Sequence, residues 1–141
     1  MKTSENGINL ITSHEGLRTR AYRCPAGVWT IGYGHTKGVK EGQVVTVRQA
    51  IDFLKEDLES AENTVSKHLP GINQNQFDAL VSFVFNVGAG SFGRSTLLRK
   101  AKINPNDPSI DEEFAKWHKA GGESLKGLVR RRADEAKLYF S

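Results

Sequence analysis

Apolar positions along the chain set the first boundaries. Ile8, Leu10 and Ile11 fall in a short run that reaches Glu15 and Gly16. The pattern predicts a helix over about 4–15, with Glu15 at its C-terminal end and Gly16 as its cap. From Ala21 to Val45 the period changes. Tyr22, Val28, Trp29, Thr30, Ile31 and Tyr33 favour strands, and Pro25, Gly27, Gly32, Gly34 and Gly38 punctuate them. A small, twisted antiparallel sheet of short hairpins is expected there.

A helical period begins at Thr46. Thr46 and Gln49 form a T-x-x-Q capping box, and Ile51, Leu54, Leu58, Ala61, Val65 and Leu69 follow at steps of three and four. One helix over about 46–69 is predicted, about 35 Å long at 1.5 Å per residue. It stops before Pro70-Gly71. Asn73 and Gln76 repeat the capping pattern ahead of Phe77, Leu80, Val81, Val84 and Phe85. That second helix is apolar on more than one face, which predicts a buried central helix ended by Gly88 and Gly90. Ser95 or Thr96 begins a short helix through Ala101. Ser109 with Glu112 caps another, which carries Phe114 and Trp117 and runs to Gly121-Gly122. Ser124 opens the last helix, with Leu125, Leu128, Val129 and Leu138 as its apolar positions.

Sheet and helices segregate along the chain, so the fold class is α+β. The sheet lobe covers about 17–45 and a helical lobe about 70–141, with the long helix as a strut and a cleft between the lobes. Clefts of this kind are common ligand sites. The chain of 141 residues suffices for one such domain.

Composition narrows the setting. No apolar run approaches the ~20 residues of a membrane span, so no stable membrane insertion is expected. The first residues are too polar for the core of a signal peptide, which predicts cytoplasmic synthesis. The formal net charge of +4 favours polyanions, among them nucleic acid, anionic membrane and anionic cell-wall polymer. The run Arg130-Arg131-Arg132 fans around a helix, and a solvated basic face is expected rather than one flat nucleic-acid patch. Cys24 is the only cysteine, so it has no partner for an internal disulfide.

Three residues stand out chemically. A glutamate at a helix C-terminus, such as Glu15, faces the negative end of the macrodipole, which favours its protonated form. A carboxyl so placed suits a general acid. Cys24 precedes Pro25, which holds its backbone extended. Thr30 brings a hydroxyl that both donates and accepts. Each residue alone also fits an ordinary structural place: a surface glutamate, a small buried thiol, a β-branched strand residue.

Together they carry a resemblance. Glu15, Cys24 and Thr30 read E-x8-C-x5-T, and Thr30 opens T-I-G-Y-G-H through His35. The segment resembles the active-site segment of the phage-type lysozymes, the endolysins of glycoside hydrolase family 24. In that family a Glu, an Asp or Cys, and a Thr stand at these spacings. Asn73 to Leu80 and Phe85 to Gly88 are similar to the family's central helix and its exit. Gly127 to Ala133 is similar to its final helix, so the resemblance covers nearly the whole chain.

The resemblance implies a lysozyme-like fold and hydrolysis of β-1,4 bonds between N-acetylmuramic acid and N-acetylglucosamine in peptidoglycan. It implies Glu15 as the acid, with Cys24 and Thr30 completing the site. Cys24 would act as base or nucleophile if ionised, and as a water-positioning group if not. Phe85 and Asn86 would face the cleft and bind sugar, or Phe85 would simply pack in the core. His35 would pair with Asp57 and brace sheet against strut. The expected partner is bacterial peptidoglycan and not nucleic acid, and the expected state is a monomer. No cofactor or metal is expected. The protein would wait in the host cytoplasm until released to the wall. The alternative is a lysozyme-like module that binds peptidoglycan without cleaving it.

Overall fold

The computed structural model describes residues 1–141. Its first helix, α1 (Glu5–His14), follows an N-terminal segment tied down by buried carboxylates. Thr3 donates from both its backbone N–H and its hydroxyl to Glu62, each at 2.7 Å, and the Ser4 N–H donates to Asp78 at 3.0 Å. Ile8 and Ile11 are buried, as their spacing requires. The helix ends differently from the expectation. Glu15 itself is the C-cap, in an extended conformation (φ −95°, ψ 133°), and Gly16 adopts no left-handed turn.

Strands β1 (Arg18–Arg23) and β2 (Trp29–Gly32) form an antiparallel hairpin, with Tyr22 opposite Thr30 and Arg23 opposite Trp29. The register shifts between Arg18 and Tyr22. There β1 turns its backbone to the 43–45 segment, and the Ala21 N–H donates to Gln43 O at 2.9 Å. After β2 the chain reverses at once, and Ile31 and His35 exchange two backbone hydrogen bonds of 2.9 Å. Gly32 makes this reversal with φ +66°, and a Cβ there would stand 3.2 Å from that of Ala50. Glycine alone meets both demands.

The long helix predicted over 46–69 is two helices, α2 (Val47–Asp57) and α3 (Glu59–His68). Leu58 separates them while staying in the right-handed helical region. Its N–H still bonds Leu54 O, and its carbonyl still accepts from Glu62, both at 2.9 Å. The strut therefore bends rather than breaks. The apolar period runs through Leu58 without a Pro or Gly, so local sequence carried no sign of the bend. Both halves of the Thr46–Gln49 capping box form, and the Asn73–Gln76 box forms completely too.

The central helix α4 (Gln74–Val87) is buried along most of its length, and α1, α3 and α8 (Lys126–Tyr139) pack on it. Gly88 ends it, but Gly90 lies inside a further short helix, α5 (Ala89–Gly93). Helix α6 (Thr96–Ile103) starts at Ser95, whose hydroxyl accepts from the Leu98 N–H at 3.0 Å. A continuous cluster of 26 buried apolar residues runs from Ile11 and Ile31 through Leu54 and Phe83 to Phe114 and Tyr139. Sheet lobe and helices thus share one core.

The C-terminal region departs most from expectation. Helix α7 (Ile110–Ala115) is short, and Ser109 does not cap it. The Ser109 N–H and hydroxyl both donate to Asp107, at 2.9 and 2.8 Å, so the hydroxyl is already engaged. The chain then forms a second hairpin, β3 (Lys119–Ala120) and β4 (Glu123–Ser124), where a helix was expected. Gly121 and Gly122 both have positive φ (59° and 84°), the requirement of a tight hairpin turn. Helix α8 therefore starts at Lys126, not Ser124. Its expected apolar face holds only in part: Leu128 and Leu138 are half-buried and Leu138 packs on the core, but Leu125 and Val129 are exposed, while Arg131, Arg132, Glu135, Ala136 and Tyr139 are buried. Of the three arginines expected on a solvated face, Arg130 is exposed there, but Arg131 and Arg132 are drawn inward because buried carboxyl and hydroxyl groups receive them.

Candidate active site

Glu15 owes its placement to the end of α1. Its N–H closes the last helical turn on Ile11 O at 2.9 Å, while its extended backbone carries the side chain away from the helix. The carboxylate is partly buried, and Oε1 accepts from Arg131 Nη1 at 2.9 Å. Beside it, His14 Nε2 lies 2.8 Å from Asp134 Oδ2. The last residue of α1 and its C-cap thus both grip α8. A cavity of about 610 Å³ opens here, lined by His14, Glu15, Asn86, Leu128, Arg130 and Arg131 among others.

Arg131 is fixed from behind. Its Nη2 lies 3.3 Å from both the carbonyl oxygen and the hydroxyl of Ser82, and its Nε donates to Glu135 at 3.4 Å. The guanidinium fork suits this duty, because its donors diverge in one rigid plane. Glu135 in turn accepts from the Ser82 hydroxyl at 2.6 Å and from Arg132 Nη2 at 3.1 Å. Sequence reasoning missed this set. Its available signals were a serine inside the apolar run of α4 and an Arg131–Glu135 spacing of i, i+4, which places both on one helix face.

Cys24 and Thr30 belong to the β1–β2 hairpin. The Cys24 N–H donates to Val28 O at 3.0 Å, and its carbonyl accepts from Gly27 at 2.8 Å, closing the turn. Tyr22 stands opposite Thr30, and alternate residues share a face of a sheet, so Cys24 and Thr30 lie on the same face. Thr30 is buried and donates its hydroxyl to Val28 O at 3.0 Å. The Cys24 thiol is held below its ordinary value. Hydrogen bonding from the Val28 backbone contributes most, then that from Ala26; partial desolvation opposes them, and Thr30 adds a smaller pull in the same direction. Neither Cys24 nor Thr30 lines the cavity at Glu15, although only Gly16 and Leu17 separate Glu15 from their hairpin.

The two residues named for sugar binding part company. Asn86 is exposed and lines the Glu15 cavity, while Phe85 is half-buried and packs against the apolar core. His35 is buried, and its Nδ1 lies 3.0 and 2.9 Å from the two carboxylate oxygens of Asp57. Its ring stacks on Phe53, with centroids 4.1 Å apart and planes 4° from parallel. This contact spans the junction between the sheet lobe and α2.

Comparisons with known proteins identify the family. The family described as phage lysozyme matches residues 12–135. The chain is 44% identical over 147 residues to an endolysin of Acyrthosiphon pisum secondary endosymbiont phage 1, covering 100% of this chain and 99% of that protein. Among solved structures, a mutant of the phage P22 lysozyme superposes with a TM-score of 0.91 at 36% identity, covering 100% of this chain and 99% of the other. The muramidase domain of SpmX from Asticaccaulis excentricus superposes with a TM-score of 0.88 at 40% identity, covering 99% and 98%. On this footing, with the family spanning both Glu15 and the hairpin of Cys24 and Thr30, the chain belongs to the phage lysozyme family.

Proposed function

We propose that the protein is an endolysin that hydrolyses the β-1,4 bonds between N-acetylmuramic acid and N-acetylglucosamine in bacterial peptidoglycan, with Glu15 as general acid. The observation that carries this reading is the Glu15 carboxyl held by Arg131 at the rim of a cavity, in a chain of the phage lysozyme family. The same reading has the protein act as a monomer on the wall after release from the host cytoplasm. No helix of the chain is long and apolar enough to cross a membrane.

Glycoside cleavage needs a proton on the leaving oxygen and a second group to deal with the positive sugar. Protonated Glu15 gives its proton to the bridging oxygen, and the C1–O bond breaks. A water attacks C1 and loses a proton to the Cys24 thiolate, leaving a hemiacetal reducing end. Thiol and carboxylate then exchange protons with solvent, which resets both groups. Thr30 helps hold the water beside the sulfur, and the lowered Cys24 thiol supports the ionised form as base. Asn86 offers its amide to an N-acetyl group, and Phe85 serves mainly to set that end of α4. His35 and Asp57 brace the sheet against the strut.

Digestion of purified peptidoglycan, with the new chain ends identified by mass spectrometry, tests the reading. Hydrolysed muramic acid reducing ends are expected. Anhydro-muramic ends would make the protein a lytic transglycosylase. Retention on the wall with no new ends would make it a binding module.

A further inference from the structure

Glu135 is an acid with no place in the chemistry above, yet it is the most completely buried ionisable side chain beside the site, with no exposed surface. Burying a carboxylate is costly unless donors surround it. Three converge on its Oε2 here: the Ser82 hydroxyl from α4, and the guanidiniums of Arg131 and Arg132 from α8 itself, while Oε1 accepts no hydrogen bond. Arg132 Nε also lies 2.7 Å from Glu135 Oε1, and its guanidinium stacks over the Phe83 ring at 5.0 Å. Arg131 belongs to two carboxylates at once, through Nη1 to Glu15 and through Nε to Glu135.

We propose that Glu135 is a positioning residue for catalysis: it holds Arg131 from the far side and offsets the buried positive charge that faces Glu15. This rests on Glu15 being the general acid. An arginine pairing with Glu15 alone would orient the carboxylate but hold it in the ionised form, which cannot donate a proton. Without Glu135, Arg131 and Arg132 would leave two buried positive charges in this set, with Arg131 in contact with Glu15. With Glu135 the buried set carries a net charge of one, so Arg131 orients Glu15 while its pull is shared. The other titratable groups lining the cavity are His14, Asp134 and Arg130, with His14 paired to Asp134. Desolvation pushes the Glu135 carboxyl up, opposed by Arg132, Ser82 and Arg131, which marks how strongly its charge depends on these partners.

The test is the pH dependence of kcat and KM on a soluble wall glycan, for two variants that move the charge in opposite directions. Glu135→Gln raises the buried charge by one. Its neutral-pH kcat should fall about tenfold with KM within about twofold, and the limb set by Glu15 protonation should move about one pH unit to acid. Arg132→Gln lowers the charge by one and should move the same limb toward base. The double variant restores the sum and should return the limb to its wild-type position. Glu135→Asp keeps the charge and should leave the limb in place whatever its stability.

A purely structural clamp would lower the melting temperature of all four and leave every limb in place, which overturns the proposal. Failure of Glu135→Gln to fold leaves Arg132→Gln to decide by the direction of its shift. Collapse of both would assign Glu135 to the fold and likewise overturn it. Glu15→Gln separates the two readings. If it stays active, the general-acid assignment fails. If it is inactive while the charge variants titrate like wild type, only the role of Glu135 fails.

Discussion

Replacing His35 by asparagine removes a ring from the junction between sheet and strut while keeping a donor near Asp57. The lost stack on Phe53, nearly parallel at 4.1 Å, is worth about 0.5–1.5 kcal/mol. The two contacts from Nδ1 to the Asp57 carboxylate, at 2.9 and 3.0 Å, share one N–H as a bifurcated hydrogen bond to a charged group, worth about 1.5–3 kcal/mol. Asparagine reaches less far than the ring and recovers little of this. The substitution should therefore cost about 2–4 kcal/mol. An unfolding entropy of about 2.1 cal/mol/K per residue over 141 residues gives about 0.3 kcal/mol/K. The melting temperature should fall by roughly 7–13 °C. Thermal unfolding followed by circular dichroism measures this, alongside wall clearing at a temperature where both proteins stay folded. Clearing should stay within about threefold of wild type, on the order of 0.7 kcal/mol in the barrier. An unchanged melting temperature with lost clearing would refute the bracing role and move His35 into the chemistry.

Three further substitutions probe the site and its frame. Cys24→Asp should keep activity within about tenfold of wild type, because a carboxylate can also take a proton from water. Its acidic limb should move several pH units lower, since an ordinary Asp ionises near ~3.9 and a thiol near ~8.5; a folded but inactive variant would show that the sulfur itself is required. In the wild type, the backbone donors at Val28 and Ala26 should let iodoacetamide react at half-maximal rate at a pH below that of a free cysteine, and an equal or higher midpoint would contradict the lowered thiol. Gly32→Ala would place a Cβ 3.2 Å from that of Ala50 at φ +66°, costing about 1–3 kcal/mol through strain and crowding, to be read as a lower urea midpoint. Asn86→Ala should raise KM on soluble glycan several-fold with kcat little changed; an unchanged KM would remove Asn86 from sugar binding.

The sequence was legible where one local rule acts alone. Thr46 with Gln49 and Asn73 with Gln76 each announced a helix start, and both boxes form completely. The crowded apolar pattern from Phe77 to Phe85 identified the buried central helix, and glycine punctuation identified the first hairpin. It failed where one rule had competitors. Ser109 looked like a cap but spends its hydroxyl on Asp107. Gly121-Gly122 looked like the end of a helix but forms the turn of a hairpin, because two glycines serve either role. Leu58 continues an apolar period across the junction of two helices, with no Pro or Gly to mark it.

The instructive failure concerns the last helix. Its buried face has helical spacing at Arg131 or Arg132, Glu135 or Ala136, and Tyr139, yet three of these five residues are charged. A reading based on hydrophobicity assigns such a face to solvent. The inward turn becomes visible only when α8 meets Ser82 of α4 and Glu15 beyond α1, residues 49 and 116 positions away from Arg131. For the same reason Glu15 was read from its place at a helix end, while the arginine that holds it was not. The resemblance named Glu15, Cys24 and Thr30 by spacing, but which group contacts which is a property of the folded chain.

The central claim is that the carboxyl of Glu15 delivers the proton. The most direct measurement is clearing of purified peptidoglycan by wild type and by Glu15→Gln at equal folded concentration. Glutamine keeps the shape and can still meet Arg131, but it has no acidic proton to give. The account predicts loss of at least about a hundredfold in rate, the lower range of general-acid contributions, with the circular dichroism spectrum and wall retention unchanged. Clearing by Glu15→Gln at a rate near wild type, with the same muramic ends, would contradict it.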